Sequence, residues 1–265
     1  MSEVAAWKTL TPGAGPEAKV LTIDFDATGR VEARFADLAR NVKTNYGFWE
    51  SIPPAADPGA TAADYVEHWA RQIEDQAVPV RAIFGYCAGG VYAAALADRL
   101  ATEAPVVLFD PELSVAQTLI WQYYKVVGLM TPQLGEAAVE HARERARAAF
   151  DRHTDVGALQ EELAGLVREV GDPAFASIGL EPARRAELFD VFGSFLRFLA
   201  LAGQIDPTGR WRSATAFSSA TPMSGLRGMR TAGRDIQVAR EIEVDVEHAG
   251  LLAHPKVAEI VTELL

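Results

Sequence analysis

The chain has 265 residues, 49% of them hydrophobic and 23% charged, with a formal net charge of −11. This is the balance of one globular core carrying an insertion: too apolar for a disordered chain, and without the ~18-residue apolar run of a membrane span. The acidic balance argues against nucleic-acid binding, which needs clustered Lys and Arg, and the single cysteine, Cys87, excludes an internal disulfide or a Cys-based zinc site. The five histidines show no tight ligand spacing, so no metal and no bound cofactor are expected. The N-terminus opens with an acid and lacks a basic flank followed by an apolar run, so it does not read as a signal peptide and the expected compartment is the cytoplasm.

Lys19–Asp24 reads as a short buried strand, and Val31–Asn41 carries Val31, Phe35 and Leu38 at helical spacing. Val42–Trp49 reads as a second strand. Ser51–Ala60 contains Pro53, Pro54 and Pro58 and is predicted to be a loop. Thr61 is placed to cap a helix running to about Gln76 that buries Tyr65, Trp69 and Ile73. Val78–Phe84 is a strand that stops at Gly85, an Ala-rich helix follows from Cys87 to about Leu100, and Pro105–Asp110 is a strand ending in an acid. Strand, helix and strand in this order imply parallel pairing through right-handed crossovers.

From Leu113 to Gln204 helical periods take over, at Ala116–Gly128, Gly135–Asp151, Val156–Val170 and Glu181–Ala202. Strand character returns at Ala214–Ser219 and Arg240–Val246, and a last helix, Lys256–Leu265, follows Pro255. The expected organisation is an α/β core from 1–112 and 205–265, with 113–204 inserted as a helical lid.

The chemistry centres on Phe84-Gly85-Tyr86-Cys87-Ala88-Gly89-Gly90, between a strand and a helix. It fits the nucleophile elbow G-x-S-x-G with Cys in the Ser position. The chain doubles back tightly there, and Gly85 and Gly89 supply the room. The helix N-terminus aims its free N–H groups at the sulfur, which is expected to favour thiolate, and the Ala88 N–H is placed to bind an oxyanion. A G-x-C-x-G alone also fits a buried structural cysteine; the strand before it, the helix after it and Gly90 favour a nucleophile. Asp110 ends the next strand, and neighbouring parallel strands bring their carboxyl ends together, so Asp110 is the candidate orienting acid. The base must follow near the C-terminus. His248, directly after the last strand, is preferred to His254, which precedes Pro255.

These motifs resemble the thioesterase domains of polyketide and nonribosomal peptide biosynthesis, members of the α/β-hydrolase superfamily. That family carries an elbow of the form G-x-S-x-G-G, sometimes with Cys, an acid after the next strand, a helical lid, and a C-terminal H-x-x-x-L-x-x-P-x-V-A. Here the last segment is His248-Ala249-Gly250-Leu251-Leu252-Ala253-His254-Pro255-Lys256-Val257-Ala258, which selects His248. The resemblance implies an α/β-hydrolase fold, a mostly parallel sheet with the lid inserted after the strand ending at Asp110. It implies a Cys87–His248–Asp110 triad and oxyanion N–H groups from Ala88 and, by position, Ala27. The loop holding Ala27 reads Asp24-Phe25-Asp26-Ala27-Thr28-Gly29 where the family often has P-x-G-G. A stand-alone enzyme of this kind takes an acyl group from the phosphopantetheine arm of an acyl or peptidyl carrier protein, or from coenzyme A. It releases that group by hydrolysis, cyclisation or transfer.

The elbow also resembles the Cys-dependent dienelactone hydrolases, but those place the acid after a later strand, and Ala220-Thr221-Pro222 offers none. A catalytically inactive α/β-hydrolase used for binding is the non-enzyme alternative. In the lid, Phe189, Phe192, Phe195 and Phe198 recur every three residues and spread over about half a helix circumference. A substrate channel lined by Phe192, Phe195, Trp121, Tyr124 and, from the elbow, Tyr86 is therefore expected, suited to a small-molecule substrate with a sizeable apolar acyl group. Pro207–Arg234 holds five Arg and no acid. Arg227, Arg230 and Arg234 are expected to form a basic rim that attracts an acidic carrier protein.

Overall fold

The computed structural model describes residues 5–14, 18–26, 31–54 and 59–265. The chain divides into two compact units, Met1–Leu113 with Ile205–Leu265, and Ser114–Gln204.

The first unit is built on a seven-stranded sheet: β1 (Trp7–Thr11), β2 (Lys19–Ile23), β3 (Gly47–Ser51), β4 (Val80–Tyr86), β5 (Val106–Phe109), β6 (Thr215–Ser218) and β7 (Arg240–Glu243), in the order β1-β3-β2-β4-β5-β6-β7. All neighbours are parallel except β1, which runs antiparallel along β3. Several expectations change. The helix expected over Val31–Asn41 begins at Phe35, leaving Val31 outside it and 87% exposed, and the strand expected at Arg240–Val246 ends at Glu243. Trp7–Thr11 is a strand that its short pattern did not announce; pairing with β3 at the sheet edge creates it. The strand expected at Val42–Trp49 shifts to Gly47–Ser51. The intervening turn is held by Asn45, whose carbonyl accepts from the Ala14 N–H at 2.9 Å, and Tyr46 N donates to the Thr44 hydroxyl at 3.2 Å.

Helices α1 (Phe35–Asn41), α2 (Ala62–Asp75) and α3 (Gly89–Arg99) belong to this unit. Thr61 and Asp64 cap α2 reciprocally: the Thr61 hydroxyl accepts from Asp64 N, and Asp64 accepts from Thr61 N. Tyr65 and Trp69 of α2 meet Tyr92 of α3 with ring centroids 5.4–6.1 Å apart. Another aromatic cluster joins Phe35, Phe48, Phe84, Phe109 and Phe217. Strands β4 and β5 are buried almost throughout, which explains their unbroken apolar runs.

The second unit is helical: α4 (Ala116–Leu129), α5 (Thr131–Leu134), α6 (Glu136–Arg152), α7 (Val156–Ser177) and α8 (Pro182–Ala202). Helix α7 continues through Pro173, seven residues past the expected Val170. Its Gly171 lies where a Cβ would come within 2.8 Å of Phe189 on α8, so the two helices meet closely there. The chain then returns to the first unit through α9 (Thr208–Trp211), α10 (Gly225–Thr231), a 3-10 helix (His248–Ala253) and α11 (Pro255–Leu264).

The registers Ile23↔Gly85, Tyr86↔Phe109 and Phe109↔Phe217 align the carboxyl ends of β2, β4, β5 and β6. The residues that leave those ends are Asp24, Cys87, Asp110 and Ser219. The tightest backbone contact beside them is at Gly89, where a Cβ would lie 2.1 Å from the Ile23 carbonyl oxygen. Gly89→Ala is therefore expected to cost about 2 kcal/mol or more in denaturant unfolding. Gly165→Ala, exposed on α7 with nothing within 4 Å of the added carbon, is expected to stabilise by roughly 0.5–1 kcal/mol.

Candidate active site

Cys87 sits at φ +51°, a left-handed conformation that a non-glycine residue adopts only under constraint. Its N–H donates to the Phe109 carbonyl at 2.9 Å, and its carbonyl accepts from Gly90 N at 3.1 Å and Glu112 N at 3.2 Å. Gly85 is required because a Cβ there would come within 2.5 Å of the Gly90 Cα. The elbow expected from the glycine pattern is formed.

Asp110 is also left-handed, at φ +44°, and 1% exposed. Its N–H donates to the Phe217 carbonyl at 2.8 Å. One carboxylate oxygen accepts from Ser219 N at 2.8 Å, and the other lies 2.7 Å from His248 Nδ1. A carboxylate only accepts, so this contact puts the ring proton on Nδ1. Gly225 approaches so closely that a Cβ would lie 2.8 Å from the same carboxylate. The backbone of His248 is held separately: its N–H donates to the Thr221 hydroxyl at 2.8 Å, and that hydroxyl donates to Glu247 at 2.6 Å. His254 instead caps α11, its Nδ1 accepting from Lys256 N. Asp206, a later acid, accepts from Thr208 and is exposed.

The structure brings Asp110 and His248 together, but not the thiol and the imidazole. Among the described residues no hydrogen bond joins Cys87 Sγ to His248. Nε2 is instead 2.8 Å from the Tyr86 hydroxyl, which also reaches the His248 carbonyl at 3.1 Å. The two rings stack with centroids 4.9 Å apart. Tyr86 is 3% exposed and packs against the histidine.

The sulfur itself donates to Glu112 Oε2 at 3.7 Å. Burial, then the Glu112 charge and the more distant Asp24 charge, push the Cys87 thiol well above the usual cysteine range; the Ala88 N–H acts in the opposite direction and is outweighed. Burial and the Glu112 carboxylate thus work against the thiolate that the helix N-terminus by itself favours. Glu112 is the residue that sequence reasoning missed. Its only signal was its place two residues after Asp110, and nothing in the sequence says that Pro111 turns it back toward the elbow.

Beside the elbow, the Lys8 ammonium lies 3.4 Å from both Asp26 and Glu50, and Arg34 pairs with Asp26 at 3.2 Å. Asp24 turns back on its own chain, accepting from Phe25 N at 2.8 Å. Glu50 is 2% exposed, and burial followed by the Asp26 charge pushes its carboxyl up to about 7 despite Lys8. Ala27, the second expected oxyanion donor, lies outside the described residues.

In the helical unit Phe189 and Phe198 are buried, while Phe192 and Phe195 are half-buried. Trp121 is 56% exposed and, with Tyr124, Lys125, Arg143 and Arg147, lines a cavity of about 540 Å³ within that unit. The basic rim is weaker than its composition implied. Arg227 lies 3.5 Å from Glu243, and Arg230 lies 2.7 Å from Glu241, acids that β7 brings alongside α10. Arg234 is exposed. Among the described residues no cluster of His, Cys, Asp and Glu is arranged to hold a metal, and no helix is long and apolar enough to cross a membrane.

No protein-family model and no curated protein matches the chain. Solved structures do. The NocB thioesterase domain from the nocardicin cluster superposes with a TM-score of 0.57 at 16% identity, over 98% of this chain and 99% of that one. The Vlm2 thioesterase domain with genetically encoded 2,3-diaminopropionic acid, bound with a dodecadepsipeptide, gives 0.53 at 17%, over 98% and 96%. The enol-lactonase from Burkholderia xenovorans LB400 gives 0.55 at 14%, over 97% and 95%. The protein has the α/β-hydrolase fold. At these identities the likeness is one of fold.

Glu50 makes stability pH-dependent. A carboxyl raised from 4.5 to about 7 binds its proton more tightly in the folded state, so its contribution is full below about pH 4.5 and is lost as pH rises through 7. The loss is roughly 3 kcal/mol. Glu50→Gln should raise the Tm relative to wild type at pH 8 and change it little at pH 4.5, measured by thermal unfolding across that range.

Proposed function

We propose that this α/β-hydrolase is a thioesterase-like enzyme that takes an acyl group onto Cys87 and passes it to water or to a hydroxyl or amine nucleophile. The observation that carries this reading is the 2.7 Å contact between buried Asp110 and His248 Nδ1 beside a cysteine held at a positive φ. The similarity of fold to the NocB and Vlm2 thioesterase domains supports it. The early acid also supports it over a dienelactone-hydrolase arrangement, because Asp110 rather than Asp206 meets the histidine.

Because the sulfur donates to Glu112 and makes no hydrogen bond to His248, His248 acts on it as a general base rather than as half of a standing ion pair. Nε2 gives up the Tyr86 hydroxyl and accepts the sulfur's proton while sulfur attacks the thioester carbonyl. Asp110 holds the tautomer and balances the imidazolium. The Ala88 N–H, and by position that of Ala27, hold the oxyanion. The intermediate collapses, the leaving thiol takes the proton from His248, and an acyl-Cys87 thioester remains. The same histidine then activates the acceptor. A thioester on Cys is more reactive than an ester on Ser, so transfer to a weak internal nucleophile, with cyclisation or condensation as the outcome, competes with hydrolysis. The leaving thiol is the phosphopantetheine of a carrier protein or of coenzyme A.

Intact-protein mass spectrometry with acyl N-acetylcysteamine thioesters should show a single acyl adduct on wild type and none on Cys87→Ala. His248→Ala should slow adduct formation by about 10²-fold or more. Equal labelling of Cys87→Ala would overturn the reading. For docking, Arg234→Glu breaks no ion pair among the described residues. It should slow acylation from an acidic carrier protein, less so at 1 M salt, and leave acylation from the uncharged thioester unchanged.

A further inference from the structure

The rest state of the site has both reacting groups held by other partners. Cys87 Sγ donates to Glu112, and His248 Nε2 is held by Tyr86. The Glu112 contact is built in from the backbone. Asp110 is left-handed, Pro111 follows it, and Glu112 N donates to the Cys87 carbonyl at 3.2 Å, so the residue after Pro111 is tied to the elbow by its main chain. The Glu112 carboxylate then returns to the sulfur of the same cysteine. A random surface acid has no such second tie.

The groups that face the sulfur come from each neighbouring element. Glu112 comes from the turn after β5, Asp24 from the end of β2, and the Ala88 N–H from the entry to α3. The Asp110–His248 pair lies across Tyr86 and makes no hydrogen bond to the sulfur. Among the described charged groups, Glu112 is the one in hydrogen-bond contact with the thiol. A thiolate would sit against that carboxylate and be repelled, whereas a thiol donates its hydrogen to it.

We propose that Glu112 is a positioning residue of this site: it accepts the Cys87 S–H, keeps the sulfur bonded away from His248, and so holds the nucleophile inert until an acyl donor is bound. On acylation the sulfur leaves Glu112 and the Tyr86 contact to Nε2 opens. The S–H bond breaks, its proton passes to Nε2, and the electron pair left on sulfur forms the new bond to the carbonyl carbon. Glu112 neither gains nor loses a proton in this step. A nucleophile kept this way resists oxidants and adventitious alkylators, which react with thiolate.

The proposal rests on Cys87 being the nucleophile, yet its test needs no acyl donor. With one cysteine in the chain, alkylation by iodoacetamide, followed by intact mass from pH 6 to 10, reads Cys87 alone. Wild type should alkylate slowly at pH 8. Glu112→Gln should lower the pH midpoint by about 1 unit or more and raise the rate at pH 8 about tenfold. Glu112→Asp, which restores the charge, should move the midpoint back toward wild type. Glu112→Ala serves as a second neutral variant should the Gln form fail to fold. A midpoint unmoved in the folded neutral variants, or one lowered as much by Glu112→Asp as by Glu112→Gln, overturns the proposal. Alkylation that shifts as expected in a protein that no acyl thioester labels would overturn the thioesterase reading and leave the role of Glu112 standing.

Discussion

The carboxylate of Asp110 is almost wholly buried, and a buried charge left without partners costs several kcal/mol. Much of the site's architecture answers that demand. One oxygen takes the Ser219 N–H at the end of β6, the other takes His248, and Gly225 at the start of α10 leaves room for both. Two segments distant in sequence, one holding Ser219 and Gly225 and the other His248, converge on one side chain, and the parallel register of β5 with β6 contributes to the convergence. Loosening β6 or the His248 loop would expose or strand that charge. The pair is thus a structural joint as well as the orienting half of the proposed catalytic arrangement.

The elbow poses a different electrostatic problem. Its glycines and strained φ create a nucleophile position at the N-terminus of α3, where helix polarity favours an anion. Burial opposes that field most, and the charges of Glu112 and Asp24 add to the opposition. The sum favours a neutral thiol. Chemistry at such a sulfur depends on a base acting in the transition state, as it does for a serine, rather than on a thiolate standing ready. That fits a cysteine occupying the serine position of an α/β-hydrolase elbow. It also means that the base must be released from Tyr86 before the sulfur is engaged.

Acidic groups cluster on the same side of the sheet. Asp24, Asp26 and Glu50 leave β2 and β3 near Lys8 and Arg34, and the desolvated member, Glu50, is the one whose protonation falls near neutral pH. On the other flank, Glu241 and Glu243 of β7 are paired with Arg230 and Arg227. A count of charges along the chain read that flank as basic because its neutralising acids come from a later strand.

The mostly parallel sheet, the helical stretch after Leu113 and the strand–turn–helix around Cys87 were legible in the sequence. Each depends on local rules: apolar periodicity, glycine where the chain must approach itself, and the alternation of strands with helices. Strand β1 was not legible, because an edge strand is made by its partner more than by its own pattern. The state of Cys87 was not legible either. A thiol's proton affinity depends on burial and on which charges lie near it in space, and Glu112 reaches the sulfur only through the turn after Pro111. The sequence by itself determined which residues were available for the chemistry. The tertiary structure alone decided that the histidine pairs with Tyr86 and the cysteine with Glu112, because hydrogen bonds and electrostatic fields are set by distance in space and not by separation along the chain.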